Sequence, residues 1–206
     1  MAITTFSEKG NSLTYSEMDG NFDHLDIKTQ DGWRDNIVSI NPRLGAPNSP
    51  ELNLFKDGIY HYSFFAGQLT EAWANFHVDH DYKLGSPIYP HVHWSINTAS
   101  LGTVRWGFEY QIAKGHQQMA FTDSVIVYVE QESLGIPYMH YVAEVSDQDV
   151  IPGTLIEPDT IISIRLFRDG ANVNDTMNDD VFGITIDLHY QADRSTTKNK
   201  SPNFYI

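Results

Sequence analysis

Residues 103–112, TVRWGFEYQI, alternate strictly: Val104, Trp106, Phe108 and Tyr110 fall on one side of an extended chain, Arg105 and Glu109 on the other. Successive side chains of a β-strand point to opposite faces, so this run predicts a strand with one face in a core and one in water. Residues 181–190, VFGITIDLHY, repeat the pattern, with Phe182, Ile184, Ile186 and Leu188 set against Thr185, Asp187 and His189. Around these two lie further runs rich in Val, Ile, Tyr, Phe and Trp and bounded by Gly, Pro, Asp or Asn: 59–65, 69–78, 87–97, 124–131, 138–145 and 160–168. Trp33 to Ile40 reads as one more strand, followed by NPRLGAPNSPE (41–51), whose three prolines predict an irregular loop within a turn-rich stretch over 28–58. No amphipathic helix separates the strands, which excludes βαβ crossovers. The expectation is an all-β protein, a jelly-roll-like antiparallel β-sandwich over residues 31–206.

Residues 1–30 read as a separate N-terminal arm. Residues 1–10 look extended. A short helix is expected over 11–27, because Thr14 and Glu17 stand at capping-box spacing and Tyr15, Met18, Phe22 and Leu25 recur at helical spacing. Gly20 weakens that helix, and its other faces are polar, so it calls for a partner surface. At the other end, residues 191–206 are irregular and partly basic (Arg194, Lys198, Lys200) and finish on Phe204, Tyr205 and Ile206, an apolar end suited to docking.

Composition narrows the function. The chain of 206 residues carries a net charge of −14, which repels nucleic-acid phosphates and leaves no basic stripe to hold them. No apolar run reaches bilayer length, so no membrane is expected, and the first residues lack the pattern of a signal peptide. With no cysteine, neither disulfides nor thiolate metal sites staple the fold, which fits assembly in a cytosol. Aromatic residues make up 13% of the chain, a content suited to a rigid β-scaffold or a large contact surface.

The segment Phe76 to Trp94, FHVDHDYKLGSPIYPHVHW, concentrates four of the nine histidines: His77, His80, His91 and His93. In a strand His91 and His93 share one face, with Val92 and Trp94 on the other. Two imidazoles at this spacing begin a metal site that needs a third ligand, for which His80, Asp79 or Asp81 are candidates. A cupin-like metal-dependent enzyme built on His80, His91 and His93 also calls for a glutamate shortly after the histidines, and the chain continues Ser95-Ile96-Asn97-Thr98. Hydrogen bonding of the histidines within a strand face is the plainer reading. A homotrimer offers another: His91 and His93 of three chains, gathered on an axis, supply six nitrogens to an inter-subunit metal ion. No other cofactor is expected. The loop 169–180 holds Asp175, Asn178, Asp179 and Asp180, oxygen donors off the EF-hand spacing, and is expected to be solvated. Glu109, Glu130, Glu132 and Glu144 lie in or beside strands; paired acids hydrolyse glycosides, but sequence spacing brings no two of these together, and alternating charge on a solvent face explains them equally well. A Walker A loop, GxGxxG, GxSxG and HExxH are all missing, so no catalytic residues are assigned and the expectation is a protein that is not an enzyme.

The run Leu13-Thr14-Tyr15-Ser16-Glu17-Met18-Asp19-Gly20-Asn21-Phe22-Asp23-His24-Leu25 resembles a short element at the start of many tailed-bacteriophage fibre and appendage proteins. The aromatic β-body with its His-Val-His-Trp also looks like the jelly-roll bodies of phage decoration or knob proteins. The resemblance implies a virion structural protein, assembled in the host cytoplasm. Its arm would grip the particle through Leu13, Tyr15, Met18, Asn21, Phe22 and Leu25, and its partners would be itself, as a homotrimer, and the phage major capsid protein or another virion protein. The chain departs from a typical fibre in having no repetitive shaft, which better suits a capsid decoration (cement) protein, a head-fibre base or a small tail component, the first being the main expectation. A tail- or head-fibre knob that binds a host glycan or receptor is the alternative.

Overall fold

A computed structural model describes residues 3–28, 32–193, 197 and 199–204 of the chain. Among the described residues, eleven strands form two antiparallel sheets. They are β1 (Gly32–Val38), β2 (Asn41–Pro42), β3 (Glu51–Lys56), β4 (Ile59–Phe64), β5 (Leu69–His77), β6 (Ile88–Ser95), β7 (Leu101–Lys114), β8 (Val125–Leu134), β9 (Tyr141–Glu144), β10 (Thr160–Asp169) and β11 (Val181–Ala192). One sheet runs β3-β4-β11-β6-β9, with β1 also pairing β11 beyond the end of β4; the other runs β2-β5-β10-β7-β8. The pairs β4·β11, β5·β10, β6·β9 and β7·β8 nest one inside the next, as in a long antiparallel hairpin rolled onto itself. That is the jelly roll the alternation predicts.

The core lies between the sheets. Val104, Trp106, Phe108 and Tyr110 of β7 face it, as do Ile162, Ile164 and Leu166 of β10. Trp94 stacks on Tyr141 with ring centroids 4.5 Å apart, and its indole N–H donates to Gln131 Oε1 at 2.6 Å, so the polar edge of a buried ring is satisfied. Beneath the loop 170–180, Arg168 is fully buried. It meets Asp175 through Nε at 2.9 Å and a terminal nitrogen at 2.8 Å, and it also donates to the carbonyls of Phe64, Met177 and Asp179.

Two expectations about the 28–58 stretch and β11 need correction. β3 forms where an irregular segment is expected. Asp57 and Gly58 both have positive φ (48° and 86°), which makes the two-residue turn that returns β3 onto β4. An Asp-Gly pair is a hairpin signal in its own right. In β11 the register shifts between Gly183 and Thr185. This bulge reverses the alternation, so Val181 joins the core and Phe182 packs instead on Phe55, ring to ring at 5.1 Å.

Two helices precede the body, α1 (Phe6–Lys9) and α2 (Tyr15–Lys28). The expectation that residues 1–10 are extended is therefore corrected: Thr5 and Glu8 form a capping box of their own and nucleate α1. The predicted box on α2 is present, with Thr14 N donating to Glu17 Oε2 at 2.7 Å and Glu17 N to Thr14 Oγ1 at 3.2 Å. Asn21 ties the two ends of the arm together, its side chain exchanging hydrogen bonds with the backbone N–H and C=O of Thr4, both at 2.8 Å.

Candidate functional site

The pairing of β6 with its neighbours decides what surrounds the His-Val-His motif. Val92 and Trp94 enter the core, which leaves His91 and His93 on the outer face of the six-stranded sheet. Register then places Asp187 of β11 and Glu144 of β9 directly opposite His91, Thr185 opposite His93, and Asp35 of β1 opposite His189 of β11. Four strands thus converge on one patch of imidazoles and carboxylates.

The patch has a buried and an open half. His91 is fully enclosed although it lies on an outer face, because His189 stacks over it at 3.9 Å between centroids and His93 packs edge-on at 5.1 Å. His91 Nδ1 lies 3.4 Å from the Tyr89 carbonyl, which can only accept. Its Nε2 has no hydrogen-bond partner, and neither has Oδ1 of the buried Asp187. Asp187 Oδ2 is 3.7 Å from His91 Nε2 and 3.1 Å from His93 Nε2. Burial raises the Asp187 pKa, but the His91 imidazole, the Thr185 hydroxyl and the charge of His93 outweigh it and hold the carboxyl below its ordinary value. Burial pushes His93 the other way, toward the neutral imidazole, against the attraction of Asp187. On its far side His93 Nδ1 meets His140 Nε2 at 2.6 Å.

The open half is a cleft of about 340 Å³ lined by Trp33, Tyr89, Glu144, Asp147 and His189. Trp33 is 57% exposed and stands edge-on to Tyr89 at 5.6 Å. The Tyr89 phenol is pushed up by burial and by its hydrogen bond to Asp147, so it stays protonated and donates. His189 is clamped between Asp35, at 2.5 Å, and Glu144.

The other candidate residues are dispersed. His80 is not with His91 and His93. It lies in a second cluster in which His77 Nε2, His80 Nε2 and His116 Nε2 surround Asp159 at 2.9, 3.2 and 2.5 Å. His80 Nδ1 also meets the Thr197 hydroxyl, and Phe204 packs against His80 and His116, so this cluster holds Thr197 and Phe204 against the body. Tyr205 and Ile206 lie outside the described residues, as do Arg194 and Lys198. Asp79 faces His77 at 3.8 Å, and Asp81 pairs with Arg34 and accepts from the Tyr190 hydroxyl. The loop carboxylates do not converge. Asp175 belongs to Arg168, Asp179 to the hydroxyls of Thr98 and Ser100, and Asp180 to the Ala66 N–H. The expectation of a solvated loop fails at Asp175, whose side chain is fully buried because only there can it neutralise Arg168. Glu109 pairs with Arg165, and Glu130 with Arg105.

On the arm, Tyr15 and Phe22 are 84% and 68% exposed, Leu13 and Met18 are half-buried, and Asn21 is spent on Thr4. The side chain of Leu25 lies outside the described residues. Among the described residues no helix is long and apolar enough to cross a membrane.

No protein-family model matches the chain, and no curated protein matches it in sequence. Among solved structures, it is similar to TmCBM61 in complex with β-1,4-galactotriose, at 14% identity over 77% of this chain and 86% of that one, TM-score 0.29. It is similar to CBM28, a carbohydrate-binding module specific for non-crystalline cellulose, at 10% identity over 75% and 86%, TM-score 0.33. It is also similar to the structure of infectious bursal disease virus Gx strain, at 10% identity over 81% and 38%, TM-score 0.27. At these scores the likenesses carry nothing about ligand or partner.

Proposed function

We propose that the chain is a structural component of a tailed-bacteriophage particle, a homotrimeric decoration protein whose arm, residues 1–30, attaches its jelly-roll body to the major capsid protein. One observation carries this reading. The arm is pre-formed by two capping boxes and the Asn21–Thr4 exchange, yet Tyr15 and Phe22, both in the phage-like motif, remain exposed. Large aromatic side chains on a rigid helix are what a partner groove takes up at low entropic cost. Deleting residues 1–27 is expected to leave a folded trimer by circular dichroism and solution mass, and to abolish co-sedimentation with particles. A truncated protein that still decorates particles normally overturns the anchoring role.

A knob-like role in binding a glycan has its own support in the Trp33 cleft. An exposed indole with a phenol, two carboxylates and an imidazole beside it offers a stacking face and hydrogen-bonding groups for a sugar. Glycan-array binding that disappears in Trp33→Ala supports this role, and a blank array for the parent protein removes it.

A further inference from the structure

We propose that His91, His93 and Asp187 form a divalent transition-metal site that is complete within one chain. The carrying feature is a defect in the metal-free hydrogen bonding. His91 Nδ1 has the Tyr89 carbonyl as its neighbour at 3.4 Å, while its Nε2, enclosed and without a hydrogen-bond partner, lies 3.7 Å from Asp187 Oδ2, beyond hydrogen-bonding distance. Both Nε2 and Asp187 Oδ1 are buried and unpartnered. Polar atoms buried without a partner cost free energy. A cation held by His91 Nε2 and the Asp187 carboxylate supplies the partner that the imidazole lacks.

The distances fit. Nitrogen and oxygen donors bind Zn²⁺ at about 2.1 Å, which sets neighbouring donors of a tetrahedral site roughly 3.4 Å apart. Asp187 Oδ2 stands 3.7 Å from His91 Nε2 and 3.1 Å from His93 Nε2, and one donor atom from each of the three residues falls within 4.8 Å of the others. The second coordination layer is in place too. The Tyr89 carbonyl orients His91, and His140, 2.6 Å from His93 Nδ1, lets that ring turn its Nε2 lone pair inward. Two imidazoles and a carboxylate suit zinc or its first-row neighbours rather than Ca²⁺ or Mg²⁺. Asp35, His91 and His189 form a rival group, but both nitrogens of His189 are already engaged, by Asp35 and Glu144. An ion here joins β6 to β11, the central strands of their sheet. It differs from an ion on a trimer axis, since the His91 ring is enclosed by its own chain.

The test uses full-length, tag-free protein stripped with chelator and titrated with Zn²⁺ by calorimetry, and with Co²⁺ by visible absorption. The expected result is one ion per chain, with Co²⁺ bands of low-coordinate nitrogen and oxygen ligation. Asp187→Asn, which keeps the packing, and His93→Ala, at the more open edge, each weaken binding by at least about a hundredfold, beyond what a change outside the ligand set produces. His80→Ala leaves binding unchanged. Failure to bind Zn²⁺, binding unaffected by Asp187→Asn and His93→Ala, or a ratio of one ion to three chains overturns the proposal.

Discussion

Arg168 and Asp175 give the sharpest prediction of stability. Both side chains are fully buried, and the guanidinium spends its donors on Asp175 and on three carbonyls, those of Phe64, Met177 and Asp179. Asp175→Asn barely changes volume. It removes the negative charge and turns an amide N–H₂ toward guanidinium N–H groups, donor against donor. Removing one partner of a buried ion pair costs about 3–5 kcal/mol, because the remaining charge is uncompensated in a poor dielectric. Asp175 also accepts the Arg105 N–H at 3.1 Å, so the change loosens the loop's hold on β7 as well. A domain has a total stability of about 5–15 kcal/mol, so a large share is lost. For a chain of this size the melting temperature should fall by roughly 6–20 °C. Urea denaturation is the assay, with the midpoint displaced and the slope unchanged. Arg168→Met should cost at least as much, since it strands the three carbonyls. A cost for Asp175→Asn below about 1 kcal/mol at constant slope would refute the argument.

Two further outcomes can be stated briefly. Burial raises the Asp159 pKa, but hydrogen bonds from His116 and His77 and the charge of His80 leave it below its ordinary value. A depressed folded pKa contributes stability above the unfolded carboxyl value, and that stability is lost as pH falls through the folded one. Acidification below about pH 4 should therefore release the segment that carries Thr197 and Phe204; proteolysis of the C-terminal segment across pH 6 to 3 should show this, with the acid step missing in Asp159→Asn. On the outer face of the other sheet, Gly107 lies under the Phe167 ring, and a Cβ there would meet that ring at 2.2 Å. Tyr128 and the Arg165 guanidinium pack against Phe167, so Gly107→Ala should cost about 1–3 kcal/mol in thermal unfolding, while an unchanged melting point would show that the ring moves freely.

Local pattern set most of the architecture. Alternation in 103–112, β-rich composition and turn boundaries in the other runs located nine strands, and Thr14 with Glu17 located the start of α2, because period, composition and capping are properties of neighbouring residues. The Asp57–Gly58 turn was equally local, and it announced β3. What alternation could not show was the bulge at Gly183–Thr185, which turned Phe182 out of the core: a bulge is chosen by the strand alongside.

The candidate site divides the same way. The sequence by itself put His91 and His93 on one face and Asp187 and His189 on one face of another strand. Only the tertiary structure decided that Asp187 stands opposite His91, that His80 goes elsewhere to hold Thr197 and Phe204, and that His91 is sealed beneath His189. The physical reason is range. Period-two faces follow from backbone geometry residue by residue, whereas a shared site depends on which distant strands close the roll, and that is set by packing of the whole core.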